Sequence, residues 1–500
     1  MRLFELLLVL STIVLFVCMV VFYPKRRKAL LGAGSIIVLV ILVLQWIVEG
    51  YRIQMLLLYG TTIILVMING CRYFVKGVSF TIPRRLKQFF YLVIVLQFIV
   101  TAGLLYVFPV FRLPAPTGEF KVGTQTFHFV DMNRKEPFDP TGTSNRELIV
   151  QIWYPAQASQ GAYRPWIADP AILPYIAQYY GLPKFTFQHL KYVSSYAYAD
   201  VEVASAQQTY PLIIGNPGNG SSRFFHTVQA QELASHGYIV AVIDHTDNTI
   251  ATQLPDGSII TNRSDELFSP SHDYKTESEQ RDKLGQILTD DVTFVLDQLQ
   301  LLQSGQVTSS LKGRLDLQHV GIFGHSIGGA TAYDAAYDPR ITAGIDLDGG
   351  LYRLHDREAL RKPFLFINSA SNEQEIQRVI DHHVYTDIEL EQKGSTREWE
   401  DGMMNDKQLE LERMQQAVAA GGGVIAIANT EHLNFTDVQL VSPGFKLIGA
   451  TGKMTPDRAN EITNAYMVDF FDHYLKNQPS ILLEKSNRRF SEVKFINVSR

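Results

Sequence analysis

Val320-Gly-Ile-Phe-Gly-His-Ser-Ile-Gly-Gly-Ala-Thr331 is the stretch on which the fold depends. Val320–Phe323 reads as a short buried strand, and the run Ala330–Tyr337 reads as a helix. Between them lies Gly324-His325-Ser326-Ile327-Gly328-Gly329, a G-x-S-x-G turn. A strand–turn–helix this tight forces the central serine into a strained backbone conformation and lifts its hydroxyl above a sheet. The residues two away on either side must then lack bulk, and Gly324 and Gly328 meet that condition. The N–H that follows the serine, that of Ile327, points toward charge developing on a reacting carbonyl oxygen. A glycine-rich strand–helix turn with no chemistry is the plain alternative.

Working outward, short apolar runs alternate with amphipathic ones. Leu148–Tyr154, Pro211–Gly215, Tyr238–Ile243, Ile341–Leu347, Phe364–Asn368 and Val424–Ala428 read as strands. Phe224–His236 and Ile462–Leu475 read as helices. Leu284, Ile287, Leu288, Val292, Val295, Leu296, Leu299 and Leu302 recur at three and four, which predicts a helix over 278–303 with one apolar stripe. Strands alternating with helices predict an α/β fold, a mostly parallel sheet covered on both faces. Residues 249–277 (polar) and 372–416 (charged, with weak helical periodicity) are expected as loops or excursions near the top of the sheet. Residues 163–198 carry ten aromatics. Core packing is the ordinary account of such a cluster; a lipid-facing rim or acyl pocket is the sharper one.

A serine hydroxyl needs a base, and the base needs an orienting acid. In folds built around this turn the chain order is serine, acid, histidine. His355, His382, His383, His432 and His473 follow Ser326. His432 lies in Asn429-Thr-Glu-His-Leu-Asn434, just past a strand and on the side where the turn opens, and is the candidate base. A surface histidine is the alternative. Gly344-Ile-Asp-Leu-Asp348-Gly-Gly350 offers two acids, which the two-residue strand period points the same way. Asp348 is at the carboxyl end and is preferred; Asp346, one step deeper, is the substitute. A second oxyanion donor is expected from the glycine-rich loop Gly215-Asn-Pro-Gly-Asn-Gly220.

The first 111 residues differ from the rest. Four apolar runs, about 3–23, 30–48, 55–74 and 89–108, each approach the ~20 residues that a helix needs to cross hydrocarbon. Tyr23, Trp46, Tyr73, Tyr91 and Tyr106 fall near their ends, as interfacial rings do. The segment has eleven basic and two acidic residues, +9, which leaves 112–500 at −14 within a total of −5. Lys25-Arg26-Arg27-Lys28 lies between spans one and two, and Arg72, Lys76, Arg84, Arg85 and Lys87 lie around the link between spans three and four. Basic loops stay cytoplasmic, so both termini are expected outside, with 112–500 an extracytoplasmic domain. No small-x-small pattern precedes Tyr23-Pro24-Lys25, and three spans follow, which argues against a cleaved signal peptide. No ionisable residue sits mid-span, so the spans read as an anchor.

Composition narrows the function. With 46% hydrophobic and 19% charged residues over 500 positions, this is a folded chain of more than one unit. A pI of 6.2 gives no basic face for nucleic acid. Two cysteines, Cys18 and Cys71, cannot build a disulfide framework. His382-His383 beside Asp381 matches no metal-ligand spacing, no phosphate-cradling loop is present, and neither metal nor cofactor is expected.

Several ordered blocks together resemble the platelet-activating factor acetylhydrolases of the plasma and intracellular type II kind. They are Pro114-Ala-Pro-Thr-Gly118, Gly218-Asn-Gly220, Glu232-Leu-Ala-Ser-His-Gly-Tyr-Ile-Val-Ala241, Asp244-His-Thr-Asp247, Gly324-His-Ser-Ile-Gly-Gly-Ala-Thr331, Gly344-Ile-Asp-Leu-Asp348 and Glu431-His-Leu-Asn-Phe435. The likeness extends over most of 113–475. It implies an α/β-hydrolase fold and a calcium-independent serine hydrolase acting on short acyl esters, including lipid esters. It also implies Asp348 as the acid, His432 as the base and the Asn219 N–H as the second oxyanion donor. The family's oxyanion loop is usually H-G-x-G; here Pro217 replaces the histidine, a departure that leaves the backbone donor in place. Four preceding spans depart from the secreted and cytosolic animal members. A polyester- or cutinase-type esterase, an acyl peptidase and a catalytically silent binding or sensing domain are the competing readings.

Overall fold

The computed structural model describes residues 2–21, 28–74, 83–157, 161–267, 273–484 and 487–498. Backbone amides in an apolar run have no partner in lipid except their own helix. Accordingly the first segment forms α1 (Leu3–Val21), α2 (Lys28–Leu44), α3 (Leu56–Phe74) and α4 (Arg84–Val107). A further turn, Gln45–Glu49, continues α2. All four helices are long and apolar enough to cross a membrane. Tyr23, Lys25, Arg26, Arg27 and Lys76 lie outside the described residues. Inside the bundle Leu8, Leu15, Val38, Leu58, Leu65 and Leu105 pack together. The Thr12 and Thr62 hydroxyls bond at 2.9 Å, and the Asn69 amide donates to Ser35 Oγ at 2.8 Å, so these polar groups are satisfied between helices.

One end of the bundle is tied by charge. The buried Glu5 carboxylate accepts from Arg52 in the α2–α3 link at 2.8 Å and from Arg2 at 2.7 Å. Arg52 also donates to the Phe108 carbonyl at the exit of α4. Glu49 accepts the free first-turn N–H groups of Phe4 and Glu5 at 2.8 and 2.9 Å. The start of α1, the α2–α3 link and the exit of α4 therefore share one end, and the remainder of the chain docks there. Gln54 Nε2 donates to the Thr186 carbonyl at 2.9 Å, and Tyr192 OH donates to the Tyr51 carbonyl at 3.0 Å.

Beyond the bundle the strands are β1 (Lys121–Lys135), β2 (Asn145–Ala156), β3 (Tyr163–Pro165), β4 (Ser194–Ala199), β5 (Tyr210–Asn216), β6 (Ile239–Asp244), β7 (Ala251–Gln253), β8 (Ile259–Thr261), β9 (Leu315–His325), β10 (Ile341–Leu347), β11 (Phe364–Asn368), β12 (Gly422–Ile427) and β13 (Val493–Phe495). β7 and β8 form a separate hairpin; the others make one sheet in the order β13-β12-β11-β10-β9-β5-β6-β2-β1-β4-β3. The six from β12 to β6 are all parallel. Alternation along them feeds two cores. Leu212, Ile214 and Ile322 face Val292, Val295 and Leu299 of the helix Tyr274–Ser304. Ile213, Phe323 and Ile345 face Ile462, Tyr466 and Phe470 of the helix Pro456–Lys476. Helices thus cover both faces of the sheet.

Two expectations about loops are corrected. Residues 372–416 fall mainly within three helices, Ala370–Ile380, Asp387–Lys393 and Arg397–Val418. Ser369, Thr386 and Thr396 cap their N-termini, and Leu390, Leu411 and Met414 bury a narrow apolar stripe under a charged exterior. Composition hid them because the buried stripe is small. Within 249–277 the hairpin β7–β8 replaces part of the expected loop; residues 268–272 are outside the described set. Of the aromatic-rich stretch 163–198, Trp166 and Phe187 are core. Tyr179, Tyr180 and Phe185 remain exposed.

Candidate active site

Ser326 follows β9 directly and precedes the helix Ile327–Ala335. Its backbone has φ 59° and ψ −127°, a region that non-glycine residues enter at a cost of about 1–3 kcal/mol. The flanking glycines are dictated by space. A Cβ on Gly324 would lie 1.8 Å from the Gly328 carbonyl oxygen, and one on Gly328 would lie 2.1 Å from that of Asn216. The Ser326 N–H donates to the Leu347 carbonyl at 3.1 Å, which pins the turn to the end of β10.

Asp348 follows β10 directly. Its φ of 54° turns the chain out of the strand, so the two-residue period no longer relates it to Asp346. This corrects the expectation that the two carboxylates point the same way. Asp348 Oδ2 accepts from His432 Nδ1 at 2.8 Å, and Oδ1 accepts from the Ser369 N–H at 2.6 Å. Asp346 is buried beneath the turn, where its Oδ1 accepts from the Gly349 N–H at 2.8 Å. Burial, with the nearby Glu410 and Asp348 charges, pushes its carboxyl well above the usual carboxylate range. The acid that touches the histidine is therefore Asp348.

His432 opens a short 3-10 turn, His432–Phe435, beyond β12. About half of its side chain is exposed, so its ring is open to solvent on one side. Of the other histidines after Ser326, three are engaged elsewhere: His355 pairs with Asp406, His383 with Glu389, and His473 bonds the Gln478 carbonyl. Ser326 Oγ makes no hydrogen bond among the described residues. Unliganded catalytic contacts are often loose and tighten only with substrate.

The glycine-rich loop reaches the same place. A Cβ on Gly218 would stand 3.0 Å from Ser326 Cβ, a tight contact that a larger residue could make only if the neighbours gave way by a few tenths of an ångström. The Gly220 N–H is taken by the Asn248 carbonyl at 2.9 Å. Neither the Asn219 nor the Ile327 N–H has an acceptor among the described residues. The loop is held from below by a buried network whose pairings no local sequence pattern reports. Arg146 donates to Asp291 at 2.7 Å, and His245 bridges Asp291 and Asn216 at 3.0 and 3.2 Å. Burial opposes ionisation of Asp291, and the Arg146 guanidinium overcomes it and holds the carboxyl below its ordinary range. Asp244-His-Thr-Asp247 was the visible trace of this network, with no partner to suggest its role.

Residues 106–481 match the family model described as platelet-activating factor acetylhydrolase, isoform II. The chain belongs to this family. Among curated relatives, a platelet-activating factor acetylhydrolase of Canis lupus familiaris is 26% identical over 278 residues, 52% of this chain and 60% of the relative. Another, of Cavia porcellus, is 27% identical over 253 residues, 46% of this chain and 56% of the relative. A probable 1-alkyl-2-acetylglycerophosphocholine esterase of Arthroderma benhamiae is 26% identical over 267 residues, 48% and 60% respectively. The matches thus span less than two thirds of these relatives' own lengths. Among solved structures, a ferulic acid esterase from Streptomyces cinnamoneus superposes with a TM-score of 0.59 at 27% identity, over 77% of this chain and 99% of that one. The fold is that of the α/β-hydrolases.

One neighbour of the site went unnoticed in the sequence: His325, the x of G-x-S-x-G. Its Nε2 donates to the His432 carbonyl at 2.9 Å, and the two rings lie 4.4 Å apart. That bond assigns the proton to Nε2. Burial, helped by the neighbouring His432 and His226, drives its pKa well below the ordinary histidine value. Burial thus disfavours a second positive charge beside His432. His325→Ala is expected to lower kcat about tenfold to a hundredfold with KM little changed, because the His432 backbone loses its tether. Equal loss of kcat and stability, with an unchanged pH profile, would leave His325 as packing only.

Proposed function

We propose that the chain is a membrane-anchored serine carboxylic-ester hydrolase that cleaves short acyl esters, lipid esters among them. The observation that carries this reading is the His432 Nδ1–Asp348 Oδ2 bond of 2.8 Å beside the strained Ser326 turn. In this mechanism His432 Nε2 takes the Ser326 hydroxyl proton as Oγ attacks the ester carbonyl. Asp348 keeps the Nδ1–H tautomer and stabilises the imidazolium. The Asn219 and Ile327 N–H groups bind the oxyanion, each worth roughly a hundred- to thousandfold in rate. The imidazolium returns its proton to the leaving alcohol, and water releases the acyl group through the same base. The family membership and the esterase fold neighbour support ester hydrolysis. The four apolar helices and their basic links support an anchor with residues 112–500 on the extracytoplasmic side.

The ferulic acid esterase neighbour favours a second reading, esters of aromatic acids. Purified full-length chain in detergent, assayed on acetyl, butyryl, octanoyl and feruloyl esters, separates the two. The expected result is highest kcat/KM on acetyl and butyryl esters. Preference for the feruloyl ester would replace the substrate assignment, and no turnover of any ester, with no fluorophosphonate labelling, would favour a silent binding domain.

A further inference from the structure

The turn that carries the proposed Asn219 donor is held by a second segment of the chain. Residues 218–221 form a tight turn, closed by the Ser221 N–H on the Gly218 carbonyl at 3.1 Å. Gly220 takes φ 62°, as the third position of a type II turn requires. In a planar trans peptide the N–H points away from the carbonyl. Pinning the Gly218 oxygen therefore also sets the direction of the Asn219 N–H. Pro217, at the head of the turn, brings neither an N–H nor a polar side chain to hold it. The Asn219 side chain is exposed, so hydrogen bonds rather than packing must fix it.

Those bonds come from the chain that leaves the β7–β8 hairpin. Asn262 Nδ2 donates to Asn219 Oδ1 at 2.7 Å and to the Asn248 carbonyl at 2.5 Å. A side-chain amide has two hydrogens, so both bonds form at once. The same Asn248 carbonyl accepts the Gly220 N–H at 2.9 Å, so Asn262 grips both central residues of the turn. The Ser264 N–H donates to Asn262 Oδ1 at 3.1 Å, which fixes the way the Asn262 amide faces. With Asn262 Oδ1 satisfied, the buried Ser264 hydroxyl is available to Asn219 Oδ1 at 2.8 Å. Between these two residues the Arg263 N–H donates to the Asp247 carbonyl at 2.6 Å. The Ile250 N–H donates to the Ser221 carbonyl at 2.8 Å, so the clamp and the turn share one support.

We propose that Asn262 and Ser264 are positioning residues for the oxyanion site: through the Asn219 side chain they aim the Asn219 N–H at the charge that develops on the ester oxygen. The inference rests on the ester-hydrolase reading for its rate arm but not for its structural arm. A donor contributes most when its direction is fixed before the charge appears, because nothing then reorganises in the transition state. Ground-state binding of the ester gains little from it, so the effect falls on kcat.

The test uses the full chain in detergent with Asn219→Ala, Asn262→Ala and the two combined. Asn219→Ala keeps the N–H and removes only the side chain that the clamp holds. On p-nitrophenyl acetate each single variant is expected to lose about tenfold to a hundredfold in kcat, with KM within about twofold. An alkyl trifluoromethyl ketone forms an adduct with Ser326 that bears an oxyanion. Its inhibition constant should rise by the factor by which kcat/KM falls. The double variant should lose no more than the worse single one, because both substitutions break one linkage. Ser264→Ala leaves the Asn262 bonds in place and should lose about threefold to tenfold; no loss removes Ser264 from the clamp. Losses that multiply in the double variant, a ketone constant that stays put while kcat falls, or an unchanged kcat overturn the proposal. The structural arm is amide exchange over residues 218–221, read by mass spectrometry. Asn262→Ala is expected to speed it about tenfold, and unchanged exchange overturns the clamp. Wild type that neither hydrolyses an ester nor binds the ketone overturns the esterase reading, and exchange alone then decides whether the clamp exists.

Discussion

Ser326→Ala is expected to reduce hydrolysis of p-nitrophenyl acetate on the order of 10⁴- to 10⁶-fold while the chain stays folded. The loss is large because the proposed attack has no substitute oxygen at that position: the alanine methyl cannot form the acyl-enzyme. Folding should survive because Ser326 Oγ makes no hydrogen bond among the described residues, and the bonds that define the turn are backbone ones, to Leu347 and from Gly329. The residual rate would come from the oxyanion donors and binding alone. Fluorophosphonate labelling should disappear in parallel. Retained turnover at more than about a tenth of wild type, in preparations with unchanged circular dichroism and melting, would remove Ser326 as the nucleophile.

The second large effect separates the two aspartates. Asp348→Asn should lower kcat about 10⁴-fold, because the amide favours the wrong imidazole tautomer and removes the charge that stabilises the imidazolium. KM should move little. Asp346→Asn is expected to cost less than about tenfold, because that carboxyl is already held toward its neutral form by burial and contacts Gly349 rather than His432. Matching crystal or spectroscopic evidence of folding for both variants makes the comparison clean. The reverse ranking would move the acid to Asp346 and require a different rotamer of His432 from that seen here.

The ordering of the proposed Ser326, Asp348 and His432 could be read from the sequence because each stands just past the end of a parallel strand. A strand end announces itself as an apolar run giving way to glycine or a polar turn, as in Phe323-Gly324, Leu347-Asp348-Gly349 and Ala428-Asn429. The elbow was legible for a steric reason, since only glycine fits at 324 and 328. The four apolar helices were legible because an unbroken apolar run of about 20 residues can satisfy its backbone in hydrocarbon only as a helix. By contrast, the helices within 372–416 were obscured by their charged outer faces, which resemble solvated loop. His325, Arg146, Asp291 and His245 were illegible as a group. Their roles depend on partners 29 to 145 residues distant in the chain, and no local pattern reports such pairings.

By itself the sequence determined the kinds of element, their order along the chain, the glycine-lined turn and the apolar spans, because these follow from local sterics and from the solvent each segment can tolerate. Only the tertiary structure decided which aspartate meets the histidine, since one left-handed residue, Asp348 at φ 54°, redirects its side chain out of the strand alternation. It alone also decided that the exposed aromatic segment and the loop at 447–448 stand together beside the bundle, because that juxtaposition is made by contacts between residues more than 250 positions apart.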